Sequence, residues 1–182
     1  DGGWEGGGMG VRGRGVGGGG GDEDGAPGAQ GEVGERELAS PRAGDGYWNR
    51  PAETAATFGD WVSTGDLARV DADGYYHIEG RKKNMFVSGG ENVYPPRVED
   101  ALTDHPDVEE AVVIGVPSER WGTVGKAILV GDESLTLDDV ESHLASRVAR
   151  YAVPKELAFV DEMPTSGPSK IDRAALKERF GE

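Results

Sequence analysis

From about residue 60 onward, the spacing of apolar residues selects one element after another. WVSTGDLARV and YYHIEGR flank Asp73-Gly74 and alternate apolar with polar positions, the pattern of a β-hairpin closed by a tight turn. Pro95-Pro96 opens a helix that carries Val98, Ala101 and Leu102 on one face and is closed by His105-Pro106. VEEAVVIGVP (Val108 to Pro117) and TVGKAILVG (Thr123 to Gly131) are rich in β-branched residues and joined by a glycine-containing turn. They predict two buried antiparallel strands. Between Leu135 and Tyr151, the residues Leu137, Val140, Leu144, Val148 and Tyr151 recur at three- and four-residue steps. That is one apolar stripe of a helix, with Thr136 placed to cap it. A strand near Leu157 to Val160 follows, and then a helix capped by Asp172 with Ala175, Leu176 and Phe180. Hairpin, helix, strand, strand, helix, strand, helix is the order of a small α+β domain of about 100 residues.

Before residue 32 the texture is different. Residues 1–31 hold 16 of the chain's 31 glycines and almost no periodic apolar positions. Such a segment cannot bury enough apolar area to offset chain entropy, so disorder is expected for 1–31. VRGRGVGGGGG resembles an RGG-type tail, but two arginines beside the acidic run Asp22 to Asp24 make a poor nucleic-acid ligand. Hydrophobic residues make up 36% of the 182-residue chain, and the shortfall against an ordinary globular sequence lies mainly in this leader.

The formal charge of −15 argues against nucleic acid and anionic membranes as partners. There is no cysteine, which removes disulfides, thiolate metal sites and a cysteine nucleophile. His77, His105 and His143 have no metal-ligand spacing, so no metal site is expected. No apolar run reaches the ~20 residues of a membrane span, and the N-terminus lacks the apolar core of a secretory signal. A cytoplasmic protein is the default expectation. The first residue is Asp rather than Met, so a fragment or processed product is expected.

Four short segments carry candidate chemistry. In STGDL, Asp66 follows a Thr-Gly turn, where a carboxylate either accepts from a ribose diol or caps its own turn. GRKKN places Arg81, Lys82 and Lys83 at a hairpin end, either as a solvated cluster or as donors to hydroxyl and phosphate oxygens. In SGGENVYP, Gly89-Gly90 allows either a positive-φ turn or close backbone approach of a ligand. PTSGPSK ends on Lys170 in a Pro/Gly/Ser loop, where an amine is either solvated or placed to stabilise charge on an acyl or phosphoryl oxygen.

Taken in order, GYWNRPAETAATF, STGDL, GYYHIEGRKKNMFVSGGENVYPPRVEDAL, VIGVPSERWGTVGKA, ARYAVPKELAFVDEMP and PTSGPSKIDR closely resemble the adenylate-forming (AMP-binding) superfamily, and fatty-acid- and aryl-CoA synthetases in particular. The resemblance runs from Gly46 to the end. It implies an acid–thiol ligase that uses ATP to form an acyl-adenylate and then a thioester with coenzyme A. Asp66 and Arg81 match ribose-binding positions, Lys83 the hinge, and Lys170 the lysine of the adenylation step. Ser88, Gly89, Gly90 and Glu91 fall in the loop that lines the thiol tunnel. ATP or AMP, coenzyme A, Mg²⁺ and a carboxylic acid are the implied ligands, with the Mg²⁺ ligand and the acyl pocket in a large domain that the chain lacks. The implied organisation is a glycine-rich segment 1–31, the end of the large domain over 32–82 and a small C-terminal lid over 83–182. A truncated chain inactive by itself is expected, and a non-catalytic remnant is the alternative. GEVGE (Gly31 to Glu35) fits the family, but RELASPRAGD (Arg36 to Asp45) is expected to interrupt the apolar strand before GYWNRP. Ser169 stands in place of a glycine, Ala152 of a lysine and Thr123 of an acid.

Overall fold

The two β-branched runs do pair, and they form the centre of the second half of the molecule. A computed structural model describes residues 10–15, 31–40, 42–168 and 170–182. The chain divides into two units, Asp1–Lys83 and Asn84–Glu182.

In the second unit, β7 (Val108–Ser118) runs antiparallel to β8 (Gly122–Gly131), which pairs in parallel with β9 (Glu156–Phe159). The sheet is buried on both faces, which is why its strands read as nearly continuous apolar runs. Ala111, Val113, Ala127 and Leu129 face one cluster, with Val98, Ala101 and Leu102 of α2 (Pro95–Thr103) and Val140 and Leu144 of α3 (Leu137–Leu144). Val112, Ile114, Val116 and Ile128 face the other, with Met163 and with Leu176 of α4 (Arg173–Phe180). The two-residue period divides one sequence run between two cores. The expected α+β class holds, with a mixed three-stranded sheet flanked by helices.

Two elements differ from expectation. The helix expected over Leu135 to Tyr151 ends at Leu144. Arg147 and Val148 N–H both close on the Leu144 carbonyl, Ala149 is extended, and a 3₁₀ turn covers Arg150–Ala152. Val153 precedes Pro154, which disfavours helical backbone there, and the chain must turn to bring Ala152 and Val153 into the core and start β9. Val148 still packs on the core, whereas Tyr151 is 44% exposed. Leu137 opens the helix as expected, with Thr136 and Asp139 forming a reciprocal capping box. The second difference is a hairpin of β5 (Phe86–Ser88) and β6 (Glu91–Val93) around Gly89-Gly90. It sits on the large sheet where Gly115 of β7 and Gly125 of β8, direct cross-strand partners, leave a slot for the Phe86 ring.

The first unit is a four-stranded antiparallel sheet in the order β1 (Gly10–Gly15), β2 (Val33–Ala39), β3 (Val62–Val70), β4 (Tyr76–Arg81), with α1 (Pro51–Thr57) beside it. The Asp71 carboxylate closes the β3–β4 turn by accepting from Asp73 and Tyr75 N–H, at 3.0 and 2.9 Å. Two expectations are corrected here. Residues 10–15, within the segment expected to be disordered, are a strand, because edge pairing satisfies backbone groups whatever the side chains. The remainder, 1–9 and 16–30, lies outside the described residues. Arg36 to Ala39 do continue β2 despite their polarity. Their charges are matched within the sheet: Glu35 takes Lys82 at 2.7 Å, Arg36 takes Asp66, and Glu37, 3% exposed, accepts from Ser63. The helix α1 was not expected, although Pro51 at its first turn and the alanines after it are the usual start signal. Among the described residues, no helix is long and apolar enough to cross a membrane.

Candidate functional site

The site residues fall into three groups, and local folding explains each. The first is built on the β3–β4 hairpin. Asp66 and Arg81 are cross-strand partners, so their side chains share one face. Arg81 Nε lies 2.9 Å from Asp66 Oδ1, and Arg81 Nη1 donates to the Thr64 carbonyl at 3.0 Å. Sequence reasoning did not anticipate Arg36, whose Nη2 holds the other oxygen, Oδ2, at 3.0 Å. Asp66 is thus gripped by two guanidinium groups, with 17% of its side chain exposed. Gly65 turns the backbone at φ +72° and donates its N–H to Glu35, and Glu35 in turn binds Lys82. The carboxylate retains lone pairs for further donors, since each oxygen can accept two. Lys83 is exposed, in the 3₁₀ turn Lys82–Asn84, and is the last residue of the first unit.

The second group surrounds the β5–β6 hairpin. Gly89 and Gly90 have φ of +60° and +91°, both positive as a two-residue type I′ turn requires. Gly89 N–H donates to the Trp121 carbonyl at 3.2 Å, and a Cβ on Gly89 would stand 3.0 Å from the Trp121 ring. Ser88 is buried and Glu91 is exposed. An open cleft of about 630 Å³ adjoins the hairpin, lined by Ser88, Arg120, Trp121, Val124, Arg150, Tyr151 and Lys155. It combines three cationic side chains with two half-exposed aromatic rings. Arg120 lies over the Trp121 ring at 5.0 Å, and Lys155 pairs with Glu141 at 2.6 Å. Ala152 is buried in the core and is not among the residues lining the cleft. The cleft escaped sequence reasoning because its lining comes from three separated segments. The exposed Tyr151, on an otherwise apolar stripe, is the signal that could have shown it.

The third group is Lys170. It is exposed at the end of a loop whose sides are joined by the Thr165–Ile171 bridge and by Ser166 N–H donating to the Lys170 carbonyl at 2.7 Å. Lys170 is not among the residues lining the cleft.

Residues 97–170 match the family described as AMP-binding enzyme C-terminal domain. The second unit is an AMP-binding enzyme C-terminal domain. The family match takes in Trp121, Lys155 and Lys170, while the Gly89-Gly90 turn lies just before it. Among curated relatives of this chain, feruloyl-CoA synthase of Amycolatopsis sp is 46% identical over 160 residues, covering 86% of the chain and 33% of the relative. A medium/long-chain-fatty-acid–CoA ligase of Mycobacterium tuberculosis is 41% identical, covering 88% and 30%. ATP-bound MatB from Rhodopseudomonas palustris superimposes with a TM-score of 0.82 at 32% identity, over 96% of the chain and 34% of that structure. The o-succinylbenzoate CoA synthetase of Bacillus subtilis, in complex with its acyl-adenylate, gives 0.82 at 30%, over 93% and 34%. The chain spans about a third of the length of the curated relatives it matches.

Proposed function

We propose that this chain acts as the C-terminal part of an ATP-dependent acid–thiol ligase that makes an acyl-CoA from a carboxylic acid. The observation that carries the reading is the Gly89-Gly90 turn, packed on Trp121 beside a cleft with three cations and two aromatic rings. Rings and cations together suit the base and phosphates of a nucleotide, and a turn without side chains suits a narrow arm passing close to the backbone. Those features fit coenzyme A, which supplies the attacking thiol when bound. The Asp66–Arg81 pair fits the ribose of ATP or AMP, with the carboxylate accepting from hydroxyls and the guanidinium donating to them. Lys170 carries an exposed amine suited to the charge that develops as a carboxylate oxygen meets the α-phosphate. Lys83 is the hinge in this reading, at the junction between the two units, and 83–182 is the moving lid. Among the described residues, no group of three or more His, Asp or Glu could hold a metal ion, so no step here is assigned to Mg²⁺. The named activities of the relatives support the class and span aromatic and aliphatic acids.

The test is a chimera in which residues 84–182 replace the corresponding segment of the Amycolatopsis feruloyl-CoA synthase. Feruloyl-dependent pyrophosphate release and thioester formation are expected to persist. Lys170→Ala is expected to abolish the first and spare thioester formation from preformed acyl-adenylate. A folded chimera that performs neither step would identify the unit as a non-catalytic module.

A further inference from the structure

We propose that Arg173, acting through Glu99, is a positioning residue for Lys170. The inference rests on the reading of Lys170 given above. Lys170 stands three residues before Arg173, on a clip pinned by its own backbone: Ser166 N–H donates to the Lys170 carbonyl and Asp172 N–H to the Pro164 carbonyl, each at 2.7 Å. The clip leads directly into α4. That helix has eight residues, and Leu176 is its one fully buried side chain. So short a helix draws its stability from tertiary contacts, and its other anchors lie towards its C-terminal end, where Phe180 packs partly on the core and Lys126 Nζ donates to the Phe180 carbonyl at 2.9 Å.

Arg173, its first residue, fixes the end next to Lys170. Its Nη2 donates to Glu99 Oε2 at 2.5 Å and its Nη1 reaches the Val113 carbonyl at 3.4 Å. The other Glu99 oxygen accepts from Val113 N–H at 2.8 Å. One carboxylate on α2 therefore ties the start of α4 to β7. Both partners are largely shielded, with 12% of the Glu99 side chain and 25% of the Arg173 side chain exposed. A charge-assisted contact in such surroundings is stronger than a surface pair. The planar fork reaches the carboxylate and the carbonyl from two separate nitrogens, whereas lysine offers a single one on a flexible stem. The same helix α2 begins two residues after β6, the second strand of the Gly89-Gly90 hairpin. The clasp thus fixes Lys170 and the glycine turn to one frame, so a rotation of the unit carries both by the same amount.

Residue-resolved amide hydrogen exchange on the full 182-residue chain tests this. Arg173→Ala is expected to speed exchange at Ser166 and Asp172 by about tenfold or more, the usual effect of removing a hydrogen bond to a charged group. Exchange at Leu129, in the core of β8, is expected to stay unchanged. Arg173→Lys is expected to fall between wild type and Arg173→Ala, and Glu99→Gln to reproduce most of the effect. Unchanged exchange at Ser166 and Asp172 would overturn the proposal, as would equal acceleration at Leu129, which marks general loosening. An effect of Arg173→Ala without one of Glu99→Gln would also overturn it. In the chimera, Arg173→Ala is expected to lower kcat of adenylation and leave KM for ATP unchanged. Faster loop exchange with unaltered adenylation would overturn the positioning role of Arg173, whereas loss of the effect of Lys170→Ala on adenylation would overturn the reading of Lys170 on which it rests.

Discussion

Gly115 and Gly125 face each other across β7 and β8, so sheet pairing treats them alike. What lies above them does not. A Cβ on Gly115 would meet Phe86 Cγ at 2.7 Å, Phe86 Cβ at 2.9 Å and the Thr123 methyl at 2.9 Å. The two Phe86 atoms sit at the root of the ring, so the ring cannot swing clear unless β5 moves. Overpacking of this kind costs about 1–3 kcal/mol, against roughly 0.5–1 kcal/mol gained by replacing a strand glycine with alanine. Gly115→Ala should therefore lose about 1–2 kcal/mol on balance. A Cβ on Gly125 would have its nearest neighbours at 3.4 and 3.5 Å, ordinary contact distances, so Gly125→Ala should be neutral or gain up to about 1 kcal/mol. The variants should differ by about 2 kcal/mol, or roughly 10 °C in Tm for a unit of this size. Urea unfolding followed through the methyl signals of Ile114 and Ile128 isolates the second unit, with Ile78 reporting on the first. Phe86→Ala in the Gly115→Ala background removes the 2.7 Å contact with Cγ but keeps those with the residue 86 Cβ and the Thr123 methyl, so it should relieve part of the clash and give a non-additive pair. Equal stabilities for the two alanine variants would refute the slot and, with it, this account of how the hairpin is seated.

Two further outcomes follow from local geometry. Gly89→Ala places a Cβ at φ +60° against the Trp121 ring, so a cost of about 1–2 kcal/mol and a shifted Trp121 indole signal are expected; Gly90→Ala, with open space around it, should leave that signal in place. At the start of α3, the Thr136 hydroxyl and then the Thr136 N–H, both donating to Asp139, hold its carboxyl below the ordinary 3.8. A folded value below the unfolded one gives stability that is present above pH 3.8 and lost as pH falls through the lower folded value. Thr136→Ala should therefore lower Tm at pH 7 and flatten the fall in Tm between pH 5 and 2; an unchanged acid limb would exclude the capping box as its source.

The hairpin at Asp73-Gly74, the proline-started helix, the paired strands and the capped final helix were all legible in the sequence, because each is fixed by local pattern and turn chemistry. Periodicity alone could not set the end of α3. The stripe runs on to Tyr151, but Pro154 and the path to β9 break the helix at Leu144. Nor could polarity exclude Arg36 to Ala39 from a strand, since Asp66, which pairs with Arg36, and Ser63, which donates to Glu37, lie 30 and 26 residues away. The candidate residues divide in the same way. Asp66, Arg81, Lys83, Ser88, Gly89, Gly90, Glu91 and Lys170 stand in short ordered motifs and could be named from sequence. The second guanidinium on Asp66, the cationic aromatic cleft and the Glu99–Arg173 clasp unite residues from separate segments, the clasp across 74 positions. A chain written in order records which groups are present and the turns that present them, whereas distances between remote groups exist only once β2 lies beside β3 in the first unit and, in the second, the two-sided sheet of β7, β8 and β9 has gathered its helices and loops.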